Sequence, residues 1–208
     1  MASLRLEGIR AGILEPVHLA LAAGELVFVS GPSGSGKSLL LRAVADLDPH
    51  QGEARIDDTP RSAMSAPEWR RRVGLLPAES HWWEDAVGGH FPKPSPRATE
   101  NESETTRLLA RLGFGPEVLG WSVLRLSTGE RQRLALARLL IKGPEALLLD
   151  EATANLDPVN RERVENLVQD YRRDRAAAVL WVGHDPEQRR RLDGWRLIIR
   201  DGRLQREP

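Results

Sequence analysis

The run Gly31-Pro32-Ser33-Gly34-Ser35-Gly36-Lys37-Ser38 follows the spacing G-x-x-x-x-G-K-S. Glycines at this spacing let backbone N–H groups turn inward around phosphate oxygens, and a helix starting at the serine adds the positive end of its dipole. Lys37 suits the β- and γ-phosphates of a nucleotide, and the Ser38 hydroxyl suits a magnesium ion. A plain glycine-rich connector is the competing reading, and the buried-strand pattern before the run and the helical pattern after it weigh against that. Asp150-Glu151 follows the apolar residues 146–149. At the carboxyl end of a parallel strand, Asp150 would hold magnesium through water, and Glu151 would orient a water and accept its proton. A solvated acidic turn is the alternative there.

The elements that must position these groups read as an alternation of strands and helices. Residues 3–30 form short strands, ending in the apolar run 25–30 that enters the glycine-rich turn. A helix runs from Ser38 to about Leu47, a short strand pair follows Gln51-Gly52, and 73–77 is another buried strand. Between about 78 and 125 the pattern changes. Three prolines in 91–96 exclude helix and central strand, and the polar run 97–105 reads as a loop merging into a helix around Leu108, Leu109 and Leu112. A helix over 130–141, a strand over 146–150, an amphipathic helix over 159–173 and a strand over 177–182 follow. A hairpin turns at Asp201-Gly202. The expectation is an α/β P-loop NTPase (RecA-like) core with an N-terminal antiparallel β subdomain and an inserted helical subdomain. The single domain would span 1–208, with its catalytic core over about 1–80 and 141–208 and the helical part over about 81–140.

Composition restricts the function classes. Lys plus Arg and Asp plus Glu each number 30 among 208 residues, so there is no net positive footprint for nucleic acid or anionic lipid. The absence of cysteine excludes disulfide and thiolate chemistry. MASLRLEGIR lacks the apolar core of a signal peptide, and no apolar run approaches the roughly 20 residues that span a bilayer.

Three further motifs carry a family resemblance. Leu126-Ser127-Thr128-Gly129-Glu130 and the helix after it resemble the signature motif of ATP-binding cassette (ABC) ATPases. Asp150-Glu151-Ala152-Thr153-Ala154-Asn155-Leu156-Asp157 resembles Walker B running into the D-loop, and Trp181-Val182-Gly183-His184-Asp185 resembles the strand and switch histidine. With the P-loop, these follow the family order over residues 31–185. The resemblance implies an ATPase using ATP and Mg²⁺, with Gly31 to Ser38 as the nucleotide cradle, Ser38 and Asp150 at the metal, and Lys37, Glu151 and His184 catalytic. Ser127 and Gly129 would contact the γ-phosphate held by a second copy, and Asp157 would lie at the dimer seam. The implied assembly is a head-to-tail homodimer or heterodimer on a separate transmembrane permease, peripheral to the cytoplasmic face of the membrane. Phe91-Pro92 and the strand before His184 add a weaker resemblance to small bacterial ATPases linked to metal export.

Three positions depart from the family pattern. Ala78 stands where the Q-loop glutamine should follow Pro77, leaving Glu79 or water to serve the metal. Residues 2–27 contain no aromatic residue to stack on adenine, which leaves Ile13 or Leu14. Thr128 replaces a glycine. Trp82 and Trp83, beside the altered loop, suit either a permease-docking groove or packing within the helical part. The leading expectation is the energy-coupling subunit of an ABC transporter. The alternatives are a soluble ABC ATPase acting on nucleic acid or ribosomes, an ATP-gated regulator, and a P-loop kinase. The last leaves the signature helix unexplained.

Overall fold

A computed structural model describes residues 3–92 and 103–207. Burial alternates along Leu4–Arg10 (β1) and Val17–Leu21 (β2), as in strands with one covered face, whereas Leu26–Ser30 (β3) is buried at each position. After the glycine-rich turn comes Lys37–Val44 (α1), then Gln51–Ile56 (β4) and Thr59–Pro60 (β5). Ala66–Arg72 (α2) leads into Val73–Leu76 (β6). A 3₁₀ turn at Val87–His90, Glu104–Arg111 (α3), two more 3₁₀ turns and Thr128–Leu140 (α4) follow. The chain closes through Ala146–Asp150 (β7), Pro158–Arg175 (α5), Ala178–Val182 (β8), Pro186–Arg191 (α6), Trp195–Arg200 (β9) and Arg203–Arg206 (β10).

The strands form two sheets. A four-stranded antiparallel sheet has the order β2-β1-β4-β5, and a six-stranded sheet has the order β10-β9-β3-β8-β7-β6. In the larger sheet β9, β3, β8, β7 and β6 are parallel, and β10 adds the antiparallel edge. Successive side chains of a strand point to opposite faces, and here they feed two cores. Phe28, Leu147, Leu149, Val179 and Trp181 pack with α3, α4 and α5. Val27, Val29, Leu148, Leu180 and Val182 pack with α1, Trp69 and the inner face of the antiparallel sheet. The central strands β3, β7 and β8 are therefore buried along their whole length because both faces are covered, whereas the outer β9 exposes Trp195, Arg196 and Arg200.

The expected elements are present, with shifted ends. Helix α1 stops at Val44 rather than near Leu47, because Asp46 takes a left-handed backbone conformation (φ 57°). The hairpin turn at Asp201 (φ 48°) and Gly202 (φ 74°) has two consecutive left-handed residues, the geometry that matches strand twist. Two helices are additions to the sequence reading, α2 and α6. Of the proline-rich and polar run 91–105, residues 93–102 lie outside the described residues.

Candidate nucleotide site at the carboxyl edge of the parallel sheet

Strand order brings the candidate residues together. The glycine-rich turn leaves β3, Asp150 and Glu151 end β7, and His184 follows β8, which lies between those two strands. Backbone ladders hold the three ends in line: Gly183 N–H donates to Val29 O (3.3 Å), and Glu151 N–H donates to Val182 O (3.0 Å). Glu151 itself adopts φ 49°. This left-handed turn is uncommon for a residue with a Cβ and redirects the chain as it leaves the strand.

The glycines of the cradle are required sterically. Gly31 has φ 143°, and a Cβ there would lie 2.5 Å from Ile199 O and 2.9 Å from Ser35 Oγ. Gly36 has φ 101°, and its Cβ would lie 2.7 Å from Leu14 Cδ2. Gly34 (φ 75°) meets nothing within 4 Å. Pro32 and Ser33 are exposed on the same turn. Lys37 is 7% exposed and folds back across the turn, its Nζ donating to Gly31 O (2.9 Å) and Pro32 O (2.8 Å). Ser35 Oγ is buried with no hydrogen-bond partner. An orphaned hydroxyl and an ammonium held on two carbonyls provide donors that suit phosphate oxygens. The residues present therefore fit a phosphate group.

The metal candidates are neighbours: the Ser38 hydroxyl lies near enough to favour the ionised Asp150 carboxyl, which is 7% exposed. Burial pushes the Asp150 carboxyl up from its ordinary value, with the neighbouring Glu151 adding to the rise, while Ser38, Lys37 and His184 oppose it. A buried carboxylate beside a hydroxyl gives the hard oxygen donors that magnesium takes together with phosphate and water. The pair fits that ion. No cluster of three or more His, Asp or Glu suited to hold a metal occurs among the described residues.

Glu151 and His184 face each other, with Nε2 3.4 Å from Oε1 and both side chains partly exposed. Beside them opens a cavity of about 570 Å³, lined by residues that include Thr153, Arg161, Asp185 and Gln188. Asp185 caps α6 through the N–H groups of Glu187 and Gln188 and pairs with Arg161 of α5 at 2.9 Å.

Ser127 and Gly129 stand apart from this group. Ser127 caps α4: its Oγ accepts from Glu130 N–H (3.3 Å), and Glu130 Oε2 accepts from Ser127 N–H (2.8 Å). Those bonds hold the Glu130 carboxyl below its ordinary range. A Cβ on Gly129 would lie 3.1 Å from Leu156 Cδ2 and 3.3 Å from Asn155 O, so this glycine permits close packing of the segment after Glu151. Asp157 caps α5, accepting from Asn160 N–H at 3.0 Å.

The departures now have positions. Ala78 and Glu79 are exposed, and Glu79 has no hydrogen bond among the described residues. The loop is held instead by Gln132 of α4, whose Nε2 donates to Pro77 O (3.0 Å) and whose Oε1 accepts from Ser80 Oγ (3.0 Å). Leu14 is buried beneath the cradle, while Ile13 is 61% exposed at its rim. The two tryptophans differ in environment: Trp82 packs on the core and Trp83 is 70% exposed. The Arg138 guanidinium sits over both rings, 4.5 and 5.0 Å from their centroids. Gln132 belongs to the helix after the signature motif, but its partners, like the roles of Arg161 and Gln188, could not be read from sequence, because an amide or guanidinium declares its partner only after folding.

A family profile described as ABC transporter matches residues 14–154. The aliphatic sulfonates import ATP-binding protein SsuB 2 of Frankia alni is 34% identical over 210 residues, covering 98% of this chain and 80% of that protein. The probable iron export ATP-binding protein FetA of Escherichia coli is 33% identical over 181 residues, covering 86% and 80%. Import and export relatives thus match almost equally, and the similarity singles out neither direction. A solved structure of a bacterial Atm1-family ABC exporter with ATP bound superposes with a TM-score of 0.82 at 25% identity, over 98% of this chain but only 38% of that one. The chain belongs to the ABC transporter family of ATP-binding proteins.

Proposed function

We propose that the chain hydrolyses ATP as the energy-coupling subunit of a transporter, working as a head-to-tail pair of cassettes on a separate permease. The observation that carries this reading is the meeting of the lysine cradle, the Ser38–Asp150 pair and the Glu151–His184 pair at one sheet edge. Lys37 exchanges its two carbonyl acceptors for β- and γ-phosphate oxygens, while inward N–H groups of residues 31–38 bind the rest. Ser38 and Asp150 hold Mg²⁺, which when bound neutralises charge on those phosphates. Glu151 orients a water for in-line attack on the γ-phosphorus and takes its proton. The bond to the bridging oxygen breaks, and ADP and inorganic phosphate leave. His184 donates a hydrogen bond to a γ-phosphate oxygen.

The exposed N-terminus of α4, with Ser127 and Gly129, supplies a second set of donors for the nucleotide on the partner cassette. Two copies then make two complete sites. Among the described residues no helix is long and apolar enough to cross a membrane, which accords with a separate permease. The exposed Trp83, next to the loop after β6, suits contact with it. In this reading the working subunit sits on the cytoplasmic face. The domain division follows the same reading, with residues from about 81 to 140 forming the helical part.

The test is Mg²⁺-dependent ATP hydrolysis by the purified chain as a function of its concentration. Activity should rise faster than linearly, because each site draws on two chains. Strictly linear activity would support a monomeric enzyme and overturn the paired site.

A further inference from the structure

Beneath Glu151 and His184, a buried amide adds side-chain bonds to the backbone ladder between β7 and β8. Gln188 lies one turn beyond His184 in α6, is 1% exposed, and belongs to none of the family motifs. Its Nε2 donates to Thr153 Oγ1 (2.9 Å) and to Glu165 Oε1 (3.0 Å), and both bonds are buried. Since a carboxylate can only accept, Glu165 fixes which end of the amide faces it. Glu165 is 4% exposed and has its charge met by Arg191 at 2.8 Å. Thr153 lies in the turn that Glu151 opens. Gly183, immediately before His184, has no side chain, and Gln188 Oε1 stands 3.4 Å from where its Cβ would be. One amide on α6 therefore bonds both the turn after β7 and helix α5, and its oxygen fills the space beside Gly183 that a side chain there would enter. Besides the backbone ladder and the Arg191–Glu165 pair, Arg161 to Asp185 also ties these parts, but it is about a third exposed and so more weakly held.

We propose that Gln188 is a positioning residue for hydrolysis, holding the turns that carry Glu151 and His184 at the spacing at which carboxylate and imidazole act on one nucleotide. The proposal rests on the hydrolytic reading of those two residues. A buried polar group with both donors satisfied fixes a unique arrangement, and removing its donors leaves Glu165 and Thr153 to find other partners.

The test is steady-state hydrolysis by the full chain carrying Gln188→Met, which keeps the volume and removes both donors. We expect kcat to fall about tenfold or more while KM for ATP stays within about twofold. In a His184→Ala background the same change should cost less than about twofold, because residues acting as one unit are not additive. The double exchange Gln188→Glu with Glu165→Gln reverses the donor and acceptor and should restore kcat to within about threefold. An undiminished loss in the His184→Ala background, or a rise in KM at constant kcat, would overturn the proposal.

A second measurement does not need hydrolysis: the imidazole NMR signals of His184, compared between the native chain and Gln188→Met at matched melting temperature. A shifted His184 signal supports the proposal, and an unmoved one overturns it. Should the native chain prove inactive, the hydrolytic reading fails by itself and this measurement still decides what Gln188 holds.

Discussion

The turn after β3 and the loop after β6 lie at the same edge of one sheet, yet they are held in different ways. The first is shaped by backbone: Gly31 and Gly36 occupy left-handed conformations, with Ile199 O and Leu14 standing where a side chain would go. The second is shaped by side chains reaching across from α4, with Gln132 gripping Pro77 and Ser80, and Arg138 covering Trp82 and Trp83. A backbone-built turn tolerates no side chain at Gly31 or Gly36 but needs no partner. A side-chain-built loop accepts changes in its own sequence, Ala78 included, as long as the distant grip survives.

The largest effect should come from the chemistry that the backbone-built turn serves. Glu151→Gln should lower kcat by about 10² to 10⁴-fold, the range of a general base, while ATP-dependent dimers accumulate on size-exclusion chromatography. A small loss would move the proton acceptor elsewhere. Next, Gly31→Ala should destabilise the fold by about 1–3 kcal/mol in a denaturant titration and abolish nucleotide binding, since the new methyl group meets backbone rather than a movable side chain. If it binds nucleotide normally, the turn is more pliable than its φ angles imply.

On the other side of the comparison, Gln132→Ala should destabilise by only about 1 kcal/mol, the net worth of a hydrogen bond or two. It should, however, raise the Mg²⁺ concentration needed for half-maximal hydrolysis, because the loop beside β7 is set free. Ala78→Gln should act in the opposite sense, by about a few-fold in the same Mg²⁺ titration, as an amide oxygen replaces a methyl group. No change in that titration would show that the loop has no part in metal binding.

The smallest effect concerns stability and pH. Burial raises the Asp150 carboxyl, so ionising it carries a cost that is absent below the ordinary carboxylate range and complete once the pH exceeds the raised value. Asp150→Asn, which never ionises, should raise the melting temperature of the nucleotide-free chain at neutral pH and leave it unchanged in acid. A lower melting temperature at neutral pH would mean that Ser38 and Lys37 outweigh the burial.

The same contrast explains what could be read from sequence. Spacing in the glycine-rich turn, the acidic strand end and the signature helix translates directly into backbone geometry, so these features were legible. Helix α2 escaped because arginines crowd it and only Trp69 is buried, although its Ser65–Glu68 capping box was in plain sequence. Helix α6 is short and basic, and only its Asp185 cap and Pro186 announce it. The roles of Gln132 and Gln188 were out of reach because their partners lie up to 55 and 35 residues away. Which of Trp82 and Trp83 faces the core could not be read either, because adjacent identical residues give no periodicity to decide it.

Lys37 rests on two carbonyl oxygens of its own turn, 2.9 and 2.8 Å away. The turn thus carries an internal competitor for the ligand's place. Like-for-like exchange of acceptors keeps the ammonium from ever being buried alone, and it leaves the turn with little disorder to lose when a nucleotide arrives. Affinity is reduced by the two bonds that must be given up. In the hydrolytic cycle proposed above, such a resting lock would favour turnover over tight holding.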